Sequence, residues 1–526
     1  MSGPGSAADV AARDDAHLRS LGIKPELKRS LGFLSNFAVA FSYISVSTGT
    51  YTLIALGLGV GGPAFFWSWP LVVLGQTFVA LNFAELASHF PVAGSIYQWS
   101  KRLSNKTLGW FTGWFYFWAG VLTTTAVAAT VPLVLSAIFA IDLTQPSPIA
   151  ALNNGVFLGL ITLISTTIIN AFGIRLLQVI NNIGVAAEIL GMLVFAVILL
   201  IVGRHQDVGV LFQTAGTETP DTGGYLPIFA VAMFMSLFVV YGFDTAGTFG
   251  EETLDASRQA PRGILSAIWI SGLIGFVFLA AIILAIPDVA ASLKDTAPIA
   301  TSIKAGLGET FGNVYLYVIL AAVYVCTMAI QGATTRLMFS MGRDRRMPLG
   351  AMWGQVNQRF KTPANAAVAV GVLAAIPFVV TDSPILLAAG ATGLIYLSYF
   401  LCNLGVLSAR TKGWPHQGAW FKLGSWGTII NIVALIWGGV MIINFGLWNS
   451  SIFGNFGGPL RDLTNPSLTL LTSGGNKIGF LPDIPFFEAS ILLILVVGAV
   501  YYVATGQGKR VDKVEADLAT GEALIA

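Results

Sequence analysis

Long apolar runs alternate with short polar stretches along nearly the whole chain. The runs fall at roughly 31–60, 64–89, 108–140, 151–172, 176–203, 225–249, 263–287, 312–340, 364–380, 384–409, 425–448 and 485–505. Most hold about 20 residues or more with few charges, enough for an α-helix to cross a bilayer. Very short turns near 60–64 and 380–384 join two of the pairs. The pattern predicts an all-α membrane protein with twelve transmembrane helices.

Two of the runs are interrupted. Span 6 breaks within Phe238–Glu252, where Gly242 and Gly247 loosen the backbone and Asp244 brings a carboxylate to hydrocarbon depth. Such a residue costs about 2.5–3.5 kcal/mol at a bilayer centre. Irregular backbone is tolerated there only against protein or a water-filled cavity. Span 1 is too long for one straight crossing and contains Ser45, Ser47, Thr48, Gly49 and Thr50. That hydroxyl-rich patch suits two half-helices with an extended joint.

Spans 1 and 6 lie five apart, an odd number, so they run in opposite directions. Two five-span units of opposite topology, each broken in its first helix, predict a 5+5 inverted repeat with its binding site at the breaks. The units are 31–203 and 225–409. Two extra C-terminal helices occupy 425–505, and the tails 1–30 and 506–526 are expected to be solvated. Half-helix N-termini offer N–H groups to an anion and half-helix C-termini offer carbonyls to a cation, which suits a zwitterion. A substrate carboxylate is expected at the N–H groups of Thr48, Gly49 and Thr50. An amine is expected at carbonyls near Ser45 and Tyr241. The competing reading of Ser47-Thr48-Gly49 is close helix packing through small residues.

Composition agrees with a membrane protein: 55% hydrophobic, 10% charged, mean hydropathy +0.75. The net charge of +2 gives no reason to expect nucleic acid. With the N-terminus placed in the cytoplasm, 23 of the 28 Lys and Arg residues fall on the cytoplasmic side and 5 outside. The positive-inside rule then puts both termini in the cytoplasm of a multi-pass cell-membrane protein. Residues 1–30 are polar and do not read as a signal peptide. Cys326 and Cys402 lie in apolar runs and read as packing residues. His17, His89, His205 and His416 lie in tails or at loop level, so no metal site, cofactor or histidine relay is expected. No ATP-binding motif is present, and nothing reads as an enzyme's catalytic constellation.

At its motifs the chain resembles the amino acid–polyamine–organocation transporter superfamily. Ser47-Thr48-Gly49 looks like its span 1 motif, and Gly242-Phe243-Asp244 like its span 6 glycine–hydrophobic–acid motif. The run from Glu85 to Trp99 is similar to its signature after span 2, and Arg343-Asp344 with Met347-Pro348 to its loop after span 8. The wording Tyr241-Gly242-Phe243-Asp244-Thr245-Ala246-Gly247 looks most like the amino acid/choline transporter branch. The resemblance implies a secondary active transporter for a small amino acid or amine, such as γ-aminobutyrate, choline or a polyamine. It implies alternating access, driven by protons or by sodium, or substrate exchange, in a monomer or homodimer. It places Phe238 as an aromatic gate, and Tyr241, Gly242, Asp244 and Thr245 around the substrate. Asp244 would cap the broken half-helix and could share in coupling.

Glu188 departs from that pattern. It stands where several proton-coupled relatives carry a lysine. It has about a dozen apolar-helix residues on either side, so it lies near mid-depth. Burial disfavours the charged form of a carboxyl, and Glu188 is read as a proton-binding site. A sodium ligand or amine contact, and a static hydrogen bond to a neighbouring helix, are the other readings. A channel or a respiratory proton-pump subunit would be the other classes of protein. The first lacks a filter repeat, and the second would need more buried charge.

Several further features are read as ordinary. Gly57, Gly59 and Gly62 form a turn rather than a dinucleotide site. The aromatics from Trp110 to Trp118 form an interfacial belt. Glu85 pairs with Lys101 or Arg102. Arg343 to Arg346 meet lipid headgroups. The loop 449–484, with its Asn449 sequon, is an exposed loop.

Overall fold

The computed structural model describes residues 7–149, 151–218, 224–379, 381–415, 419–446 and 486–509. A short helix α1 (Ala7–Ser20) leads into span 1, which is split into α2 (Phe33–Ile44) and α3 (Val46–Gly61). Then come α4 (Ser68–His89), α5 (Ser95–Leu103), α6 (Lys106–Ala128), α7 (Thr130–Phe139), α8 (Asn154–Phe172) and α9 (Ile174–Ile201). Span 6 is built from α10 (Tyr225–Ala232), α11 (Phe234–Val239) and α12 (Thr245–Thr248). It is followed by α13 (Ala256–Leu284), α14 (Val289–Ser292), α15 (Pro298–Arg343), α16 (Gly350–Trp353) and α17 (Ala364–Ala375). The chain closes with α18 (Pro384–Arg410), α19 (Gly427–Gly446) and α20 (Phe486–Ala504).

Among the described residues, nine helices are long and apolar enough to cross a membrane. Shorter apolar helices, Tyr225–Val239, Ala364–Phe378 and Ser490–Ala504, stand where spans 6, 9 and 12 were expected. The sequon at Asn449, the loop 449–484, His416 and the tail beyond 509 lie outside the described residues.

Both expected breaks are present, with different causes. Span 1 turns at Ser45, a non-glycine residue at φ 30 and ψ 86. Such a left-handed conformation costs about 1–3 kcal/mol and persists only where the surroundings enforce it. Span 6 leaves the helix after Val239 and turns at Gly242, φ 85. Its second half is shorter than expected. α12 is a single turn, continued by a 3-10 turn at Gly250–Glu252. One turn carries little macrodipole, so this half of the site offers a weak anion-binding terminus.

The spans pack through small residues, as helices must where lipid supplies no hydrophobic drive between them. α18 lies along α6, α13 against α4 and α2, and α15 against α6 and α9. A Cβ on Gly275 of α13 would overlap the Trp69 ring of α4. One on Gly49 of α3 would stand 2.5 Å from Val239 of α11, so the two broken spans touch beside their breaks. Gly49 is thus a point of close contact between the two spans.

Four expectations need correction. Residues 7–30 are not a free tail. Leu18 and Ile23 are buried with Val92, and Arg29 donates to the carbonyls of Gly250 and Thr253. Glu85 does not pair with Lys101 or Arg102. α5 folds back as its own helix and gives Lys101 to Asp344 at 2.7 Å, while the end of α18 brings Arg410 to Glu85. The cluster after span 8 is largely internal: Arg343 forks onto Glu251 at 2.9 and 3.1 Å, and the buried Arg346 donates to the Gln507 carbonyl. The aromatic belt is mostly interior, since Trp110 is 1% exposed and stacks on Trp114 and Tyr501. α20 covers it.

These contacts lie at one end of the bundle, here called the basic end. It also holds Arg336, fully buried and bidentate to Glu252 at 2.8 and 3.1 Å.

Candidate functional site

Glu188 faces the span 1 break. Its Oε1 accepts from Ser45 Oγ at 2.8 Å, Ser47 Oγ at 2.6 Å and Ser47 N–H at 3.3 Å. Ser45 and Thr48 hydroxyls meet at 2.6 Å. Thr52 of α3 donates to the Thr48 carbonyl at 2.7 Å, and its hydroxyl meets that of Thr130 of α7 at 3.0 Å. The first N–H groups of a helix have no partner inside it, and here one of α3's is taken by a carboxylate from α9. Glu188 therefore holds the unusual Ser45 turn from outside the span that makes it.

Asp244 belongs to a second cluster. Tyr116 of α6 donates to Oδ2 at 2.5 Å, Tyr399 of α18 to Oδ1 at 2.5 Å, and Ser95 of α5 to Oδ2 at 3.1 Å. Ser95 also meets Thr248 at 2.7 Å. Tyr399 Oη in turn accepts the Gly242 N–H at 2.9 Å. The expected cap is not formed. Asp244 occupies the N-cap position of α12, but its side chain makes no capping bond. A buried carboxylate must find donors, and three hydroxyls from other helices outcompete the one-turn helix. All three donors are neutral.

The remaining predicted residues lie between these clusters or beside them. Gly242 has the Tyr43 ring where a Cβ would be. Tyr43 packs edge-on to Tyr241 at 6.2 Å, and Phe238 edge-on to Tyr241 at 5.7 Å. Tyr241 Oη meets Thr123 at 3.3 Å. Thr50 and Thr245 are buried with unpartnered hydroxyls. Two of the backbone groups expected to meet substrate are already in use, because Gly49 N–H donates to the Ser45 carbonyl at 3.0 Å. Tyr399 was missed in the sequence, and Ser95 and Tyr116 were read as parts of other motifs. A buried acid calls for hydroxyls at similar depth on other spans, and that signal could have singled out all three.

Paired broken helices that touch near mid-bundle, with a buried carboxylate at each, define a multi-pass membrane transporter. The solved structure of MhsT in complex with L-phenylalanine aligns over 80% of this chain and 99% of its own at TM-score 0.57. At 15% identity the likeness shows the inverted-repeat fold alone. The amino acid permease family model matches residues 31–460, and the chain belongs to that family. Among its relatives, the amino-acid permease BAT1 of Arabidopsis thaliana is 29% identical, covering 85% of this chain and 91% of its own. The thiamine transporter thi9 of Schizosaccharomyces pombe is 27% identical over 75% of each. The choline transporter of Saccharomyces cerevisiae is 25% identical over 81% of this chain and 76% of its own.

Proposed function

We propose that the protein is a proton-coupled secondary transporter for a small amino acid or amine, with both termini in the cytoplasm of the cell membrane. The observation that carries this is the Glu188 carboxylate bridging the span 1 break. A charged carboxylate draws in the Ser45 and Ser47 hydroxyls and the Ser47 N–H. Protonation weakens those bonds, so occupancy of Glu188 by a proton biases the geometry of the break. Proton binding and substrate binding are then linked through one conformational equilibrium. Two of the groups facing Glu188 are hydroxyls and one is an N–H. Sodium, which the Glu188 carboxylate and the Ser45 and Ser47 hydroxyl oxygens would also ligate, is the second reading, and the gradient experiment below separates the two.

The substrate binds beside the breaks. Its ammonium balances Asp244, whose three hydrogen-bond donors are uncharged. The faces of Tyr43, Tyr241 and Phe238 add cation–π attraction. Names such as choline transporter and thiamine transporter among the relatives support an organic cation or amine as a substrate class. Thr50 and Thr245 offer hydroxyls to the other end of the molecule. Uptake into proteoliposomes of γ-aminobutyrate, choline, a polyamine and an α-amino acid, under imposed proton or sodium gradients, tests the reading. Uptake driven by sodium alone, or a Glu188→Gln variant with unchanged uptake and pH profile, refutes the coupling.

A further inference from the structure

Between Glu188 and the basic end, the interface of α2 and α9 is polar on both sides. The two helices run parallel: Ser35 accepts from Gln178 at 2.9 Å and Asn182 at 3.0 Å, and further on Ser45 donates to Glu188. Ser42 lies seven residues after Ser35, and Asn181 seven residues before Glu188. Seven residues are about two turns, so each pair shares a face of its helix. Asn181 is fully buried with both amide atoms unpartnered, and the buried Ser42 hydroxyl is unpartnered too.

These three orphaned atoms, with the Asn182 amide oxygen as a fourth, are costly in one buried seam. Each unmet group costs about 1–3 kcal/mol, and buried polar groups of this kind are ordinarily met by ordered water. Apolar side chains at these positions would have carried no such cost. The seam begins at the carboxylate and ends where Gln178, Asn182 and Ser35 approach the basic end.

We infer that bound water fills this seam, held by Asn181 and Ser42, and forms the route by which Glu188 exchanges protons with the basic end. The proton rests on the coupling reading above, whereas the water does not. Asn181 is a positioning residue: it holds the water and takes no proton itself. A proton leaves the Glu188 carboxyl to the nearest water, and another leaves the far end of the chain to solvent, so charge and atoms balance.

Two readouts separate the claims. Radiolytic hydroxyl labelling of the full-length protein in proteoliposomes reports water beside buried side chains. Oxidation is expected at Val185, which lies about one turn from both Asn181 and Glu188 on α9, and its loss in Asn181→Leu. Proton-driven uptake should fall about ten-fold or more in Asn181→Leu, while substrate exchange without a gradient is retained. Ser42→Ala, a smaller change, should move both readouts in the same direction. An unlabelled seam in the wild type overturns the inference, as does Asn181→Leu with normal proton-driven uptake. Normal labelling with a Glu188→Gln variant that still couples to protons leaves the water standing and removes the Glu188 reading.

Discussion

Replacing Glu252 by Leu strands a guanidinium. Arg336 and Glu252 are each 1% exposed at the side chain. The pair is bidentate, and Arg336 also donates to the Gly332 carbonyl at 3.1 Å and lies over the Phe249 ring at 4.3 Å. Removing one partner of such a pair costs about 3–5 kcal/mol, because a buried charge is left without its counterion, whereas replacing both with apolar residues is often neutral. Glu252→Leu and Arg336→Met alone should each lower the thermal midpoint of the purified transporter sharply. The double variant should recover most of the loss. If the pair forms only when the basic end is closed, the same energy shifts the closed-to-open ratio by roughly 10²–10⁴-fold. A fluorophore at the basic end would then show the single variants open. Thermal losses that simply add in the double variant would refute the argument, because additivity means the two side chains are not coupled.

Other substitutions give sharper or blander outcomes. Gly242→Ala combines a strained φ with overlap of the Tyr43 ring, and should abolish uptake while protein still reaches the membrane at reduced yield. Tyr399→Phe removes a donor to Asp244 and the acceptor of the Gly242 N–H. An expected cost of about 1–3 kcal/mol should appear as a raised KM or lowered kcat in uptake assays. Gly49→Val should block transport by separating α3 from α11, with Gly49→Ala intermediate, measured as uptake per surface-exposed molecule. Arg13→Ala breaks only an exposed pair with Asp255, and its thermal midpoint should match the wild type, since such pairs contribute about 0–1 kcal/mol.

Hydrophobic period and charge made the helices, the two breaks and the opposed repeats legible, because each is written in local residue type. Ser45 and Gly242 were located to within a residue or two for that reason. What the breaks hold was less legible. Asp244 read as a cap because a cap is a local device, yet its partners come from α5, α6 and α18. Arg410 reached Glu85 from over 300 positions away, and no spacing rule sees that far. The tail 1–30 read as solvated because it is polar, although Leu18 and Ile23 sit in it and pack on Val92. Glu188 stood out because a lone acid in an apolar helix needs an explanation wherever it is found.

The backbone joining the N-terminal segment to span 6 has a mechanical consequence. Ser30 and Leu31 donate to the Glu252 carbonyl at 2.9 and 3.0 Å, and Leu254 donates back to Leu31 at 2.9 Å. These three bonds form a short stitch between the chain entering the first repeat and the chain leaving the broken helix of the second. The two repeats are thereby geared at one end: displacement of residue 31 is transmitted to a point eight residues from Asp244. The N-terminal segment is thus tied directly to the chain that leaves the span 6 break. A bulky fusion there should slow turnover, and a small fluorophore there should report each cycle.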